Sequence, residues 1–357
     1  VSDVGGYSNV KIETTSSSAG GAIAADIDEI KFNAPKNFDA QNRCVTIHDY
    51  VALVKRDYGG AQAVVAWGGE DADPPVFGKV FVAIKPTSGS VLSESTKKYV
   101  EDEILKKRNI VGITPEVVDP DYMYLKVSST VKYDAGSTTN SASQLKSTVT
   151  TAVTDFGTTN LKTFDKSFRY SKLIQAIDEA EISVKSNQTS IQLKRLLYPL
   201  LGSGEAYTMP FSNQIYHPSN NFWGAVTSNT FSYTDSANTI WAGCRFQDAN
   251  GVVEVYRTSG EDRIIVNNNV GTVNYLTGKI SLTSFKPLII GSETTGNTTP
   301  LEVYITPASS DVNPLREQII LIESGDISIT MLDDAGTGTY VEGTISTTDG
   351  TTLATGY

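Results

Sequence analysis

The spacing of apolar residues identifies one well-defined helix near the start of the chain. Tyr50, Leu53 and Val54 fall at i, i+3 and i+4, which places them on one helix face. Thr46 precedes this stripe as the expected N-cap, and Asp49, three residues later, completes the pair of a capping box. We therefore predict a capped amphipathic helix that begins directly after Thr46.

The patterns upstream of this helix are shorter. Alternation at 9–14 predicts a brief strand, and the small residues at 16–21 predict a flexible turn or linker. Near-helical spacing at 26–32 predicts a short helix. This helix is expected to end before Pro35, because the residue that precedes a proline avoids helical geometry.

Strand and helix patterns alternate from residue 77 to residue 200, after a strand-like apolar run at 61–66. Their order is strand, helix, strand, strand, helix, strand, at 77–85, 93–108, 110–118, 122–133, 143–156 and 182–197. A further helical stripe runs from Tyr170 to Ile177. This order matches a split βαβ, or ferredoxin-like, arrangement in which the four strands share one sheet, and we take that arrangement as a hypothesis.

The composition changes near residue 200, where helical spacing nearly disappears and Gly, Thr, Ser, Asn and aromatic residues dominate. Short strands are predicted at 240–246, 252–257, 264–266, 272–275, 279–283, 301–305, 319–323 and 327–332. Asn250-Gly251 and the turn that ends at Gly278 predict two hairpins, since these residues tolerate positive φ. A third turn is predicted at 333–336. Regular short strands with turn signals favour a sandwich or a barrel-like domain.

These patterns together predict an α+β protein. Its N-terminal part would place helices on a small mixed sheet, with the ferredoxin-like arrangement as one form, and a β-rich sandwich- or barrel-like domain would follow. The predicted divisions are 1–32 (end of a preceding segment), 33–200 (α+β domain), 201–336 (β-rich domain) and 337–357 (Gly/Thr-rich terminal hairpin or tail). The change in composition sets the main boundary between residues 199 and 205.

The charge balance narrows the class of partner. The 357 residues carry a formal net charge of −11, and the pI is about 4.8. Such a chain lacks the clustered Lys and Arg that wrapping duplex DNA needs, so we expect protein partners and no nucleic acid.

No apolar run approaches the ~20 residues of a membrane helix, and no secretory signal is visible. The first residue is Val, which suggests a fragment or a processed chain.

Candidate chemistry is sparse. Cys44 and Cys244 are far apart and are expected to be free thiols in a reducing compartment. His48 and His217 fall in different predicted domains, and no nucleophile-elbow or phosphate-loop sequence accompanies them. The loop at 68–75 has three carboxylates but not the spacing of a calcium loop, so we expect a solvated loop. We therefore predict no catalytic, cofactor-binding or metal-binding residues, and no cofactor.

Two alternatives involve the cell envelope. The aromatic residues Tyr216, Phe222 and Trp223 lie close to Asn220 and Asn221. Such a group could stack on a sugar, although loop anchoring or a protein interface explains it as well. A glycoside hydrolase site with two paired carboxylates is also an open alternative, since acidic residues are plentiful and the distance between them depends on the fold. The β-rich half is therefore an alternative carbohydrate- or receptor-binding module, and an envelope-degrading hydrolase ranks below it.

An ordered string of residues around the capped helix resembles a known signature. The string consists of four short segments, Asn-Ala-Pro at 33–35, Ala-Gln-Asn-Arg at 40–43, Val-Thr at 45–46 and Asp-Tyr at 49–50. These segments resemble the central motif of baseplate J-like proteins, the wedge proteins of contractile phage tails. Within this family the chain is similar to the wedge subunits of T-even-type phages. Residues 270–285 and 313–329 carry weaker similarity to the same subunits. Cys44 departs from the motif, which has a small residue there, and we expect it to pack as one.

The resemblance implies a structural role and no enzymatic activity. A member of this family is expected to self-associate, as a homodimer within a larger ring, and to contact other baseplate wedge proteins. It would be a late protein of the virion, located in the tail baseplate after assembly in the host cytoplasm. Its interfaces would rearrange when the sheath contracts, and neither a membrane nor a small-molecule substrate would be a partner. The motif residues are carried over as determinants of the fold and not as contact residues.

Overall fold

The computed structural model describes residues 27–72, 74–219, 222–291 and 299–334. The α-helices in these ranges are α1 (Ile27–Ala40), α2 (Ile47–Asp57), α3 (Glu94–Tyr99), α4 (Ala142–Asn160) and α5 (Tyr170–Asp178). The strands are β1 (Ala61–Gly68), β2 (Lys79–Pro86), β3 (Thr114–Val118), β4 (Asp121–Tyr133), β5 (Val184–Leu197), β6 (Glu205–Pro210), β7 (Val226–Ser228), β8 (Phe231–Thr234), β9 (Ile240–Ala249), β10 (Val252–Ser259), β11 (Asp262–Asn274), β12 (Lys279–Phe285), β13 (Pro287–Ile290), β14 (Leu301–Ile305), β15 (Gln318–Leu321) and β16 (Ile327–Asp333). The predicted strand at 9–14, the linker at 16–21, the end of the turn at 333–336 and the segment 337–357 lie outside the described residues.

Helix α1 differs from its prediction. It continues through Pro35 to Ala40 instead of ending before the proline. Most of the helix is exposed, so the carbonyl that the proline leaves without an amide partner can bond to water. The chain then turns at Gln41 and Asn42, which both have positive φ, before α2 begins.

Helix α2 packs on a small three-stranded sheet. β1 pairs antiparallel with β2, and β2 pairs parallel with β3. The face of the sheet that meets α2 contributes Val80, Val82 and Ile84 to a core that also holds Tyr50 and Leu53. These buried positions confirm the predicted helical stripe of α2 and the predicted alternation in β2.

The helix predicted at 93–108 is irregular. α3 covers its first six residues, 100–105 form a π-helix, and 106–108 form a 3₁₀ turn. The wider π-helical turn brings Val100, Ile104 and Leu105 into the core beneath α2. The segment is therefore helical, as predicted, but it is not a regular α-helix. Its apolar residues are nevertheless buried on one side.

β4 and β5 begin a second, larger sheet. They pair antiparallel, and α4 and α5 pack on one face, where Leu125, Val149 and Leu173 are fully buried. The ferredoxin-like hypothesis is wrong, because β2 and β3 lie in the small sheet while β4 and β5 lie in the large one. Asp119-Pro120 separates β3 from β4, and the proline cannot donate to a ladder, so the chain changes sheet there.

The large sheet continues through the strand-rich half. Its order is β15-β4-β5-β14-β7-β9-β10-β11-β12-β6, with β16 also beside β4, and with β8 and β13 branching from β9. β5 lies between β4 and β14, so hydrogen bonds cross the change in composition near residue 200. The hairpins predicted at Asn250-Gly251 and Gly278 are confirmed. The α+β class with a β-rich second part is confirmed as well.

Two strands near the end of the described chain complete the fold. β15 and β16 both pair in parallel with β4, at 121–124 and 127–133. One continuous core joins α4 and α5 to the strand-rich half and includes the fully buried rings of Phe168, Phe211 and Phe285. The strands of 318–333 therefore finish a sheet that β4 begins about 200 residues earlier in the chain.

Candidate assembly surface

The signature residues hold the corner between α1 and α2. The hydroxyl of Tyr50 donates to Asn109 Oδ1 at 2.5 Å, and the backbone amide of Cys44 donates to the carbonyl of Arg108 at 2.8 Å. Cys44 is fully buried, which confirms that it packs as a small residue. Burial raises the pKa of its thiol to about 12. A thiol that stays protonated is a poor nucleophile and a poor metal ligand, so its contribution is packing.

Charged side chains fix the turn that leads into α2. Arg56 donates to Asn42 Oδ1 at 2.9 Å and to the carboxylate of Asp57 at 2.6 and 2.9 Å. Arg108 contacts the same carboxylate at 3.0 Å. The hydrogen bond from Arg56 and the charges of both arginines hold the pKa of Asp57 below its ordinary value. The turn with positive φ at Gln41 and Asn42 is thus anchored from both α2 and the segment after the π-helix.

The predicted capping box is present at the start of α2. The amide of Asp49 donates to Thr46 Oγ1 at 3.3 Å, and the amide of Thr46 donates to Asp49 Oδ2 at 2.8 Å. The amide of Val45 donates to the same carboxylate oxygen at 3.1 Å. His48 is exposed on this first helical turn, as expected. Thr46 and Asp49 therefore stabilise the corner by accepting hydrogen bonds from its backbone amides.

Exposed apolar side chains lie along α1. Ile27, Ile30 and Phe38 are 69, 53 and 75% exposed. Together with Ala34 they follow helical spacing and share one face. Ile30 and Ala34 also line a cleft of about 250 Å³ between α1 and α2, with Asn37 among its other lining residues. Apolar side chains that gather on one surface of a soluble protein mark an interaction site, so this face is the candidate assembly surface.

A buried junction joins the small sheet to the large one. Trp67, Ala83, Phe164 and Ile319 are among its buried apolar residues. Lys85 follows Ala83 on the same face of β2, is 6% exposed, and donates to the carbonyl of Lys162 at 2.9 Å. Burial lowers the pKa of Lys85 to about 8. A backbone carbonyl compensates an ammonium only in part, so this contact places an energetically unfavourable charge between the two sheets.

Asp121 connects three segments at the same junction. Arg195 binds both oxygens of its carboxylate, with Nη1 at 2.8 Å from Oδ1, and Gln318 Nε2 donates to Oδ2 at 2.9 Å. Arg195 is 9% exposed and Gln318 is fully buried. Arg316 adds an exposed ion pair to Asp71, at 2.6 Å, in the loop after β1. These contacts hold β4, β5 and β15 to one another and to the small sheet.

The residues considered for chemistry are separated in the structure. His217 stacks on Tyr275 with ring centroids 4.0 Å apart, and Cys244 is fully buried in the strand-rich half. Asp71 of the acidic loop is engaged by Arg316, while Asp73 lies outside the described residues. Among the residues that the structure describes, no group of three or more His, Cys, Asp or Glu is arranged to hold a metal ion. Within the same ranges, none of the helices has the length and apolar character to cross a membrane.

The aromatic group near residue 220 does not form one open platform. Trp223 is 58% exposed, and the guanidinium of Arg263 lies 4.4 Å from its ring centroid. Phe222 packs edge-on against Tyr216 and contacts the large core. Asn220 and Asn221 lie outside the described residues. An arginine over a tryptophan is common at protein interfaces, and the carbohydrate alternative stays a prediction.

The residues that build the junction were not predicted from the sequence. A signal existed for Lys85, because it shares a strand face with Ala83 while the other face of the strand is wholly apolar. No comparable signal marks Asp121, since its partners Arg195 and Gln318 lie 74 and 197 residues away. Asn109 was also missed, and its role depends on the position of Tyr50 in the folded chain.

Comparison with known proteins gives three matches. Residues 46–118, which hold α2 and the small sheet, match the family described as "Baseplate structural protein gp6, C-terminal domain I". Residues 121–196, from β4 to β5, match "Baseplate structural protein gp6, C-terminal domain III". The chain is also 29% identical over 222 residues to "Baseplate wedge protein gp6" of Enterobacteria phage T4. That stretch is 62% of this chain and 32% of the T4 protein, so the chain spans about a third of that relative.

Proposed function

We propose that this chain, which is similar over part of its length to the baseplate wedge protein gp6 of phage T4, works as a structural component of a phage tail baseplate, associating with itself and with other wedge proteins. It acts through interfaces and not through catalysis, in a ring that is assembled in the host cytoplasm and carried in the virion. The observation that supports this role is the exposed apolar face of α1 beside a corner held by the Arg56–Asn42 hydrogen bond and by the capping box of α2.

The apolar surface that α1 exposes to water favours self-association, because association would bury it. Each large apolar side chain contributes roughly 1.5–3 kcal/mol when it is fully buried. Ile27, Ile30 and Phe38 are each more than half exposed in the single chain. A homodimer with two-fold symmetry would bury the same residues from both copies, so each residue counts twice. The rigid corner keeps the helix at a fixed angle, which reduces the entropy lost on association.

Sedimentation equilibrium of the chain over a range of concentrations tests this proposal. The chain is expected to associate, and the double variant Ile30→Lys/Phe38→Lys is expected to shift strongly toward monomer. The matched control is Leu276→Lys, because Leu276 is 77% exposed but lies in the turn between β11 and β12. The control should associate like the unaltered chain. A monomer at every concentration, or unchanged association of the α1 variant, would contradict the proposal.

Rearrangement on sheath contraction is proposed to occur at the junction between the two sheets. A signal can shift the balance between two states only through contacts that differ between them. The junction offers such contacts, since Lys85 is incompletely compensated and the Arg316–Asp71 pair is exposed. Energy transfer between dyes on β1 and β10 of baseplate-bound chain should change on contraction. Equal transfer before and after contraction would argue that the two sheets move as one body.

A further inference from the structure

A lysine and two carboxylates meet on the face of the large sheet opposite α4 and α5. Lys194 lies on β5 and is directly opposite Tyr124 of β4 and Tyr304 of β14. Glu302 precedes Tyr304 by two residues and therefore points to the same face. Asp326 comes from the 3₁₀ turn at 324–326, directly before β16. The sheet register thus brings three charged groups from three segments to one place.

The lysine nitrogen is placed against the carboxyl group of the aspartate. Lys194 Nζ lies 2.7 Å from Asp326 Oδ1 and 2.6 Å from Oδ2. Oδ2 is buried and accepts no hydrogen bond of ordinary geometry despite this short distance. Because the carboxyl carbon is bonded to both oxygens, a nitrogen this close to each of them also lies next to that carbon, and such proximity favours reaction between the two groups.

A second carboxylate is available to the same nitrogen. Glu302 Oε1 lies 3.7 Å from Lys194 Nζ, and the hydroxyl of Tyr304 donates to Glu302 Oε2 at 2.5 Å. Burial and the neighbouring carboxylate of Glu302 raise the pKa of Tyr304 above its ordinary value, so this hydroxyl stays protonated. Glu302 is therefore oriented by one oxygen while the other faces the amine.

Lys194 and Asp326 are buried, the side chain of Glu302 is 32% exposed, and the three groups together carry more negative than positive charge. Lys194 is 4% exposed and Asp326 is 7% exposed, while the ring of Tyr124 lies 4.9 Å from the lysine nitrogen. Removing charged groups from water is unfavourable even when they are paired. An uncharged link between the two groups would remove both charges from this site.

We propose that Lys194 and Asp326 condense to an intramolecular isopeptide bond, with Glu302 as the group that carries the proton. Glu302 accepts a proton from the ammonium of Lys194, and the freed electron pair of Nζ attacks Asp326 Cγ. The new C–N bond replaces one C–O bond, and that oxygen leaves as water. Of the three ammonium hydrogens, one stays on the amide nitrogen and two leave with the water. Glu302 returns to its starting state, so the step needs no oxidant, reductant or cofactor.

Such a bond would link two distant segments of the large sheet. Lys194 and Asp326 are 132 residues apart, and the strand-rich half lies between them. β16 is held to β4 by hydrogen bonds along a single side. An amide link at its start would prevent this strand from separating from β5 under load, without depending on any partner subunit. The inference stands on this cluster alone and is independent of the proposed self-association.

The intact mass of the purified, denatured chain tests the inference directly. The expected mass is lower than the sequence mass by one water, about 18 Da. Digestion should release a branched peptide in which residue 194 is linked to residue 326. A mass equal to the sequence mass would overturn the inference and would leave the cluster as a buried ion pair.

Variants assign the bond to these residues. Lys194→Arg and Glu302→Gln should each restore the full sequence mass. Asp326→Asn should still react but should release ammonia, which gives a deficit of about 17 Da relative to its own sequence. The matched control is Lys97→Arg, since Lys97 pairs with Asp119 and Glu94 at the same 2.7 Å, but both of these carboxylates are exposed, at 41 and 88%. The control should keep the full deficit. A deficit that persists in Lys194→Arg would also overturn the assignment.

Discussion

Removing the carboxylate of Asp121 should destabilise the junction between the two sheets. Asp121→Ala deletes the group that accepts hydrogen bonds from Arg195 and Gln318. The guanidinium of Arg195, a residue that is only 9% exposed, would then have lost its carboxylate partner. Its Nε is already buried without a hydrogen-bond partner. Breaking a buried ion pair by removing one partner costs roughly 3–5 kcal/mol. Asp121 itself is 32% exposed, so solvent reduces the effect, and we expect about 3 kcal/mol.

A double-mutant cycle in urea separates this interaction from other effects of the substitution. Arg195→Met keeps the apolar stem but removes the charge, so the variant Asp121→Ala/Arg195→Met no longer leaves a charge unpaired. We expect a coupling energy of about 1.5 kcal/mol or more between the two positions. Asp71→Ala serves as the control, since its pair with Arg316 is about half exposed on both sides and should contribute less than ~1 kcal/mol. A coupling below ~0.5 kcal/mol, or equal effects at Asp121 and Asp71, would show that the Asp121–Arg195 pair does not stabilise the junction.

Three further predictions concern single positions and are measured by urea unfolding. Thr46→Ala removes the cap of α2 and should lower the free energy of unfolding by about 1–2 kcal/mol, whereas Thr46→Ser should retain most of it. Lys85 has its pKa lowered to about 8 by burial, while an unfolded lysine titrates near ~10.4. The unfolded chain therefore binds more protons between these values, so stability should rise with pH across that window, and Lys85→Met should lose this rise. Gly271→Ala should destabilise by more than about 2 kcal/mol, because its Cβ would meet the carbonyl oxygen of Ser281 at 2.3 Å. Gly325→Ala, where a Cβ meets nothing within 4 Å, is its control.

Local chemistry made part of the fold predictable. The cap of α2 is encoded by Thr46 and Asp49, three residues apart, and the structure shows both of its hydrogen bonds. The hairpin turns depend on Asn250-Gly251 and Gly278, which adopt the positive φ that such turns need. In each case the residues that decide the structure are neighbours in the chain, so their pattern is visible in the sequence.

Pairings between distant segments were not predictable in the same way. β3 and β4 are separated only by residues 119–120, yet they belong to different sheets. The order of elements suggested one ferredoxin-like sheet, because periodicity reports which face of a strand is buried and not which strand lies beside it. The parallel partners of β4 are β15 and β16, which come from the far end of the described chain. Helix α1 was also misjudged, since an exposed helix tolerates Pro35.

The candidate surface was only partly accessible from the sequence. The motif residues around α2 were predicted to determine the fold, and they build the corner beside α1 through Tyr50, Cys44 and the capping box. The apolar face of α1 was not anticipated, because the spacing at 26–32 predicted a short helix and did not indicate whether its apolar residues are exposed. Their exposure depends on the direction of α1 beyond the turn, which no local pattern specifies.

Hydrogen–deuterium exchange along α1 shows whether copies of the chain associate through this helix, because it reports which helix becomes protected when they meet. We expect slower amide exchange over 27–40 in concentrated than in dilute solution, with exchange in the turn around Leu276 unchanged. Identical exchange of α1 at both concentrations, in a chain that sedimentation shows to be associated, would contradict the claim that copies meet through this helix.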